Sequence, residues 1–177
     1  MGLEHSMMLD TEGLTKYVAE ENIRQEHDAG YTFPMTFADE DSAASGKTAN
    51  KVTAAFSGNK KTWFEYDAAS GQYLAFQHGS AYIDKATDEQ VTVKNVVVLL
   101  APFSSIEGDD KGRLETELTG SGEGYYFANG KYVPITWERS DSRGPFVYKD
   151  SAGNVVAFAR GKSYFCVMPM NSTVDVE

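Results

Sequence analysis

The chain is 177 residues long and carries a net charge of −10 at pH 7, with 41% hydrophobic and 12% aromatic residues. This length and composition indicate a folded globular domain rather than a disordered chain. The sequence has no basic stretch that could replace counterions on phosphates, which argues against a nucleic-acid partner. No apolar run approaches the roughly 18 residues of a membrane span, so we expect no transmembrane segment in this chain.

The first 50 residues differ from the rest in charge. They hold ten acidic and three basic residues, whereas the rest of the chain holds sixteen and thirteen. Within them, "FADEDSAASGKTAN" has the small, polar composition of a linker or surface loop. We therefore divide the chain into an N-terminal helix with an acidic linker, residues 1–50, and a β-rich domain, residues 51–177.

A helix is predicted from Thr11 to about His27. Asp10 or Thr11 can cap its first turn, and Gly30 can stop it. Its apolar face, which we expect to be buried, consists of Leu14, Tyr17 and Val18.

From Lys51 onward the sequence consists of short runs rich in β-branched and aromatic residues, separated by turn sequences such as "SGNKK", "EGDDKG" and "ANG". Strands with turn signals every eight to twelve residues, roughly, are typical of antiparallel sandwiches and barrels. The predicted fold is mainly β (α+β): an antiparallel β-sandwich or barrel-like sheet with one N-terminal helix. The runs include "KVTAAF", "TWFEY", "QYLAF", "VTVKNVVVLL", "GYYFA", "KYVPITWE", "PFVYK", "VVAFA" and "SYFCVM".

The glycine-rich stretch "GSGEG" (120–124) raises the question of a phosphate-binding loop. Tyr125 occupies the place of the third glycine of a dinucleotide motif, and strand-like sequence follows where such a site needs a helix. Asn129-Gly130 between two β runs is instead a strong hairpin signal, because both residues tolerate positive φ. We interpret the stretch as part of a β-hairpin and expect no cofactor.

His78 and Asp84 are the pair most suggestive of catalysis. The histidine precedes a glycine corner, and the two could serve as a general acid and its orienting carboxylate. A hydrogen-bonded structural histidine at a strand end is the alternative. Trp137 and Arg139 lie two residues apart on one predicted strand and could bind a ligand or partner.

Metal and thiol chemistry have little support. The single cysteine, Cys166, excludes an internal disulfide and a cysteine-cluster metal site, and "SYFCVMP" predicts an inert buried thiol. The acidic clusters at 39–41 and 107–110 lack the order of an EF-hand loop, so we interpret them as solvated loops.

The order of several motifs resembles the YerB-like putative lipoproteins of Gram-positive bacteria. The stretch "YIDKATDEQVTVKNVVVLLAPF" carries the likeness through Asp84, Thr87, Gln90 and the "NVVV" run that starts at Asn95. It continues through "DDKGRLETEL", "GSGEGYYFANGK", the "TW" that ends at Trp137, and "DSAGNVVAFARGKSYFCVMP". Asn95 thereby joins the candidate ligand-binding residues, with His78, Asp84, Trp137 and Arg139.

This resemblance implies an extracytoplasmic protein held at the membrane through a lipidated N-terminal cysteine. The present sequence shows no signal peptide or lipobox cysteine and resembles only the C-terminal half of the family. We therefore expect a C-terminal piece of a longer protein. The resemblance brings no catalytic residues with it, and none are assigned.

Three functions remain open at this point. The first is a non-catalytic binding or interaction module at the bacterial cell surface, with a cell-wall component as its partner. The second is a hydrolase or transferase acting on a cell-wall polymer, which would need His78, Asp84 and Arg139 to converge in one pocket. The third is a structural scaffold that docks the protein's own N-terminal domain and exposes an apolar patch for it.

Overall fold

A computed structural model of the chain describes residues 10–38 and 46–177. Residues 39–45, which include the first predicted acidic cluster, lie outside the described part. The chain forms two compact units, Met1–Thr32 and Phe33–Glu177. We call the second one the β unit.

The one described helix, α1, runs over Thr11–Glu20. Oδ1 of Asp10 accepts a hydrogen bond from the backbone N–H of Gly13 at 2.7 Å, so Asp10 is the N-cap, as predicted. The predicted C-terminal end near His27 is wrong, because Asn22 adopts a left-handed conformation with φ of 47°. The predicted burial is also wrong: Leu14 and Tyr17 are exposed and Val18 is only half-buried.

The β unit consists of eighteen strands among the described residues, many of them only two residues long. They are β1 Thr36–Phe37, β2 Lys47–Thr48, β3 Lys51–Ala55, β4 Lys61–Asp67, β5 Gln72–Gln77, β6 Ser80–Ala81, β7 Ile83–Asp84, β8 Glu89–Gln90, β9 Thr92–Val93, β10 Asn95–Ala101, β11 Phe103–Ser105, β12 Leu114–Thr116, β13 Gly120–Ala128, β14 Lys131–Arg139, β15 Val147–Lys149, β16 Ala157–Phe158, β17 Ser163–Pro169 and β18 Val174–Val176.

Two six-stranded sheets dominate the unit. The first sheet has the order β15-β14-β13-β10-β17, with β2 also pairing with β14. The second sheet has the order β18-β3-β4-β5-β6, with β9 also pairing with β5. Three short two-stranded sheets complete the pairing: β1-β16, β7-β8 and β11-β12. The predicted mainly-β fold with one N-terminal helix is confirmed.

One central pairing departs from the expected antiparallel pattern. Strands β10 and β17 run parallel, with Val98 opposite Cys166. Parallel neighbours need a crossover connection, and the chain makes one from β15 at one edge to β17 at the other. On the way, β16 places Phe158 against the same face of the first sheet as Tyr126 and Trp137.

The core has two layers, one on each face of the first sheet. Its inner face packs against the second sheet, where Val96 and Val98 share a buried cluster with Phe64 and Tyr73. Its outer face carries a second cluster that includes Val97, Leu99, Trp137 and Phe158. Burial on both faces explains why β10 is an almost unbroken apolar run rather than an alternating one.

The glycine-rich stretch proves to lie inside a strand. Strand β13 begins at Gly120, four residues before the predicted start of "GYYFA", and pairs with β14 through a two-residue turn at Asn129-Gly130. Both turn residues have positive φ, 52° and 70°, as the hairpin prediction requires.

Candidate functional site

Trp137 is a core residue. Its side chain is 1% exposed, and its Nε1–H donates to the carbonyl oxygen of Leu100 at 3.0 Å. The indole packs in the outer-face cluster and makes an edge contact with Phe146, with ring centroids 5.9 Å apart. Because the ring is covered and its only donor is satisfied, Trp137 has no surface to offer a ligand.

Arg139 is bound to its own loop. Its Nε donates to the carbonyl oxygen of Gly144 at 2.8 Å, and a second guanidinium nitrogen donates to the carbonyl oxygen of Ser142 at 2.5 Å. The guanidinium carbon also lies 4.9 Å from the centroid of Phe146, a cation–π arrangement. These contacts give Arg139 a structural role in closing the loop between β14 and β15.

His78 is exposed and lies in the turn between β5 and β6. It has φ of 52° and is followed by Gly79 at 84°, so the pair forms a tight hairpin turn. This turn lies beside the turn between β3 and β4, and the two border an open cleft of about 480 Å³. We call it the turn cleft; its lining residues are Gly58, Asn59, Lys61, Trp63, His78 and Gly79.

An aromatic pair adjoins the turn cleft. Thr62 and Phe64 point into the core, so Trp63 between them lies on the outer face of the second sheet. Its ring stacks on that of Phe76 in the neighbouring strand, with centroids 5.0 Å apart and planes 6° apart. Its Nε1–H donates to Oε1 of Glu65 at 3.0 Å, which fixes the orientation of the indole.

The three residues that the hydrolase or transferase alternative requires do not converge. Asp84 is exposed in the β7–β8 hairpin, where Oδ1 accepts from the backbone N–H of Ala86 at 2.9 Å, and it does not line the turn cleft. Arg139 belongs to the outer face of the first sheet, whereas His78 belongs to the second sheet, which packs on the inner face. The acid–base arrangement that required all three side chains in one pocket is absent from the described residues.

Asn95 is fully buried and makes a complete set of hydrogen bonds. Its Nδ2 donates to the carbonyl oxygen of Ala159 at 2.9 Å and to Oγ of Ser163 at 3.1 Å. Its Oδ1 accepts from the hydroxyl of Tyr126 at 2.8 Å and from the N–H of Ala159 at 3.1 Å. Asn95 therefore holds the loop between β16 and β17 against the first sheet, and does not itself face solvent.

That loop borders a second open cleft, of about 470 Å³. We call it the basic cleft, because three of its lining residues are Lys94, Arg160 and Lys162. The ammonium of Lys94 donates to the carbonyl oxygen of Gly71 at 2.9 Å. The other lining residues are Ser70, Gln72, Ala159 and Gly161. This cleft was not predicted from the sequence, where its local signal is the "ARGK" at 159–162.

Burial governs the ionisation of the core groups. Desolvation raises the pKa of the Cys166 thiol to about 12 and that of the Tyr148 hydroxyl to about 12. On the surface, hydrogen bonds from Ser70 and from the backbone N–H groups of Ala69 and Ser70 lower the pKa of Asp67, at the turn beside the basic cleft. Cys166 is thus an inert thiol, in agreement with the sequence prediction.

The described residues contain no group of three or more histidine, cysteine, aspartate or glutamate side chains placed to hold a metal ion. In the same part of the chain, no helix has the length and apolarity needed to cross a membrane.

Comparisons with known proteins agree with the sequence resemblance. The chain is 24% identical over 106 residues to the protein named Putative lipoprotein YerB of Bacillus subtilis (strain 168), an alignment that covers 60% of this chain and 30% of that protein. It also matches the crystal structure of the YerB protein from Bacillus subtilis with a TM-score of 0.72 and 19% identity, over 93% of this chain and 53% of that one. The chain thus spans about half of the crystallised relative, and this likeness shows the shared fold.

The family model described as "Protein of unknown function (DUF3048) C-terminal domain" matches residues 52–165, which correspond to the stretch from β3 to the first residues of β17. Because this match covers more than half of the chain, the protein belongs to the DUF3048 C-terminal domain family.

Proposed function

We propose that this domain is a non-catalytic binding module that acts outside the bacterial cytoplasm and recognises a sugar-containing component of the cell wall. The extracytoplasmic part of the proposal, with an anchor at a lipidated N-terminus, is supported by the similarity to a protein named as a lipoprotein. The non-catalytic part is supported by the separation of His78, Asp84 and Arg139, which a hydrolase or transferase would need in one pocket.

The turn cleft is the observation that carries the sugar-binding proposal. An aromatic ring packs against the C–H face of a pyranose ring, while hydrogen-bonding groups at its rim meet the hydroxyls. Trp63 supplies the ring, and its stacking on Phe76 supports it from behind. Asn59, Lys61 and His78 supply an amide, an ammonium and an imidazole along the same cleft.

The test is a titration of the protein with soluble wall-glycan fragments, followed by isothermal titration calorimetry for every variant and, for the proteins that keep Trp63, by tryptophan emission as well. Trp137 is buried, so a change in emission reports on Trp63. Trp63→Ala should raise the Kd about tenfold, because loss of one stacking ring costs on the order of 1–2 kcal/mol. Trp63→Phe keeps an aromatic face and should raise it by less than about threefold.

Leu114→Ala is the control, since it also removes a large apolar side chain that is open to solvent, but Leu114 lies in β12, away from the turn cleft. Binding of a glycan by wild type and Leu114→Ala, with weakened binding by Trp63→Ala, supports the proposal. No binding by wild type, or equal binding by Trp63→Ala, contradicts it.

A docking role is the second candidate function, favoured by exposed aromatic side chains near the outer face of the first sheet. Phe165 on β17 is 40% exposed and stacks against Phe158, and Phe37, the register partner of Phe158, is 51% exposed. The proposed occupant is the part of the relatives that this chain does not span. The separately produced remainder of the Bacillus subtilis relative should bind wild type and lose affinity for Phe165→Ser; equal affinity would count against docking.

A further inference from the structure

We propose that the free edge of β17 is a docking site for an extended strand, supplied by the part of the longer relatives that this chain does not span. The incoming segment would lie beside β17 and add one strand to the first sheet. The proposal rests on the docking role given above as the second candidate function, and it names the backbone groups that would hold the docked part.

Strand β17 is bonded to the first sheet on one side alone. Among the described residues, β10 is the one strand that pairs with it, in parallel and through seven consecutive residue pairs. The carbonyl oxygen of Lys162 accepts from the N–H of Asn95 at 3.1 Å, and the N–H of Met170 donates to the carbonyl oxygen of Ala101 at 3.1 Å. Because backbone groups alternate in direction along a strand, the even-numbered residues of β17 face β10 and the odd-numbered ones face away from it.

The outward row consists of the N–H and C=O groups of Ser163, Phe165 and Val167. None of these backbone groups has a hydrogen-bond partner among the described residues. Ser163 and Phe165 are exposed and Val167 is half-buried, so the row lies at the surface. Alternating donors and acceptors at this spacing match the backbone of another extended strand.

This edge lacks the features that protect the other edges of the two large sheets. Strands β15 and β18 are three residues long and each carries a charge, at Lys149 and Asp175, and β6 has two residues. Strand β17 has seven residues without a charge among them, and its register with β10 contains no bulge. Proteins keep sheet edges from pairing by short length, charge and bulges. We therefore infer that another segment covers β17 in the longer protein.

The side chains beside the edge indicate the chemistry of the docked strand. On the outer face, Phe165 is 40% exposed and its ring stacks against that of Phe158, with centroids 6.3 Å apart. On the inner face, the half-buried ring of Tyr164 packs edge-on against Phe64, and its hydroxyl accepts from Nε2 of Gln77 at 2.9 Å. Aromatic rings on both faces favour an uncharged strand with apolar side chains.

A part of the longer relatives is the occupant that length and charge favour. The chain spans 53% of the crystallised relative, and the family model that it matches describes a C-terminal domain. A second copy of the chain is disfavoured, because two molecules that each carry a net charge of −10 repel one another. A strand supplied by the same polypeptide would also bind at a high effective concentration, so a single edge would suffice to hold it.

The first test is amide hydrogen exchange of the full chain, measured by NMR with and without the separately produced remainder of the Bacillus subtilis relative. The N–H groups of Ser163, Phe165 and Val167 should exchange freely in the chain alone and slow at least about tenfold when the remainder is bound. Those of Tyr164 and Cys166 face β10 and should be protected in both samples. Protection that appears at every second residue is the expected signature of an added strand.

Matched substitutions at Phe165 separate edge pairing from contacts of the aromatic ring. Phe165→Ala removes the ring and keeps the N–H, whereas Phe165→Pro removes both and places a proline ring against an incoming strand. Proline is compatible with β17 at this position, because the N–H of Phe165 makes no bond to β10. Phe165→Pro should raise the Kd for the remainder at least about tenfold above that of Phe165→Ala, as for the loss of one or two hydrogen bonds.

The outcomes distinguish failure of edge pairing from failure of docking. Equal Kd values for Phe165→Ala and Phe165→Pro, both above that of wild type, would overturn edge pairing and leave the docking role in place. Wild-type affinity in both variants, or no binding by wild type, would overturn both. Protection of the odd-numbered amides that grows with the concentration of the chain alone would assign the edge to a second copy and overturn the proposed occupant. Thermal melts verify that both variants are folded; if Phe165→Pro is not, the alternation of the exchange rates decides.

Discussion

The hydroxyl of Tyr126 donates to Oδ1 of Asn95 at 2.8 Å, and the backbone N–H of Ala159 contacts both oxygens, at 2.8 Å from the hydroxyl and 3.1 Å from the amide. The two side chains are at most 2% exposed. They join β13 and β10 to the loop that carries Arg160 and Lys162, so the shape of the basic cleft depends on a polar network inside the core.

Disruption of this network should destabilise the fold in a graded way. Tyr126→Phe removes one hydroxyl and leaves Asn95 with its backbone partners, so we expect a loss of about 1–2 kcal/mol in the free energy of unfolding. Asn95→Ala leaves the O–H donor of Tyr126 and the carbonyl oxygen of Ala159 buried without the Asn95 amide, and should cost about 3 kcal/mol or more. Urea denaturation measures both.

Tyr125→Phe is the control, because Tyr125 lies on the same strand but outside this network. Its unfolding free energy should stay within about 0.5 kcal/mol of wild type. The double variant Asn95→Ala/Tyr126→Phe should lose less unfolding free energy than the sum of the losses in the two single variants, because both substitutions remove the same contact. Strict additivity would show that the two residues act independently.

The glycines of β13 should resist substitution for a steric reason. The indole of Trp137 lies over Gly122, its register partner, and so reaches the carbonyl oxygen of Leu100 two strands away. A Cβ at Gly122 would lie 2.6 Å from this indole, and one at Gly124 would lie 2.3 Å from the carbonyl oxygen of Val98. Gly122→Ala and Gly124→Ala should each lower the free energy of unfolding by about 1–3 kcal/mol.

Ser121 directly precedes Gly122 and is exposed, so Ser121→Ala provides the comparison in the same urea experiment. It should change the stability by no more than about 0.5 kcal/mol. Retention of wild-type stability in Gly124→Ala would mean that the strand spacing relaxes freely. That result would remove the packing explanation for the "GSGEG" sequence.

The buried thiol should make stability depend on alkaline pH. The pKa of Cys166 is raised to about 12 in the folded state from an ordinary value near 9, because burial disfavours the thiolate. The unfolded chain therefore loses the proton first, and the stabilisation by the neutral buried thiol is complete below pH 9 and lost as the pH rises toward 12. Near pH 10 the loss from this one group is about 1.4 kcal/mol.

Cys166→Ala isolates that contribution. The stability difference between wild type and Cys166→Ala should narrow by about 1.4 kcal/mol between about pH 8 and about pH 10. Burial also raises the pKa values of Tyr148 and Tyr126. Their contribution to the pH dependence of the unfolding free energy is the same in both proteins and therefore cancels in the comparison. A stability difference that is constant with pH would show that the thiol has the same pKa in the folded and the unfolded chain.

Much of the local structure could be predicted from the sequence. The N-cap at Asp10 and the turn at Asn129-Gly130 were predicted because side-chain capping and positive φ depend on neighbouring residues. The alternation of apolar runs with turn residues likewise predicted a mainly-β fold. The order of motifs pointed to the family that the comparisons confirm.

The roles of individual side chains could not be predicted in this way. The alternation along a strand predicts that Trp137 and Arg139 lie on the same face of the sheet. It does not predict that β16 and Phe146 cover this face. His78 and Trp63 are fifteen positions apart in sequence, and only the pairing of β4 between β3 and β5 makes them neighbours in the turn cleft.

The sequence by itself thus determined the strands, their turns and the family, because these follow from short-range backbone preferences and from the order of the residues. The tertiary structure decided which side chains come together at each cleft. The parallel pairing of β10 with β17 brings Lys94 to Arg160 and Lys162, although more than sixty residues separate them in the chain. Pairing of that kind depends on which sheet faces are buried together, which no local pattern specifies.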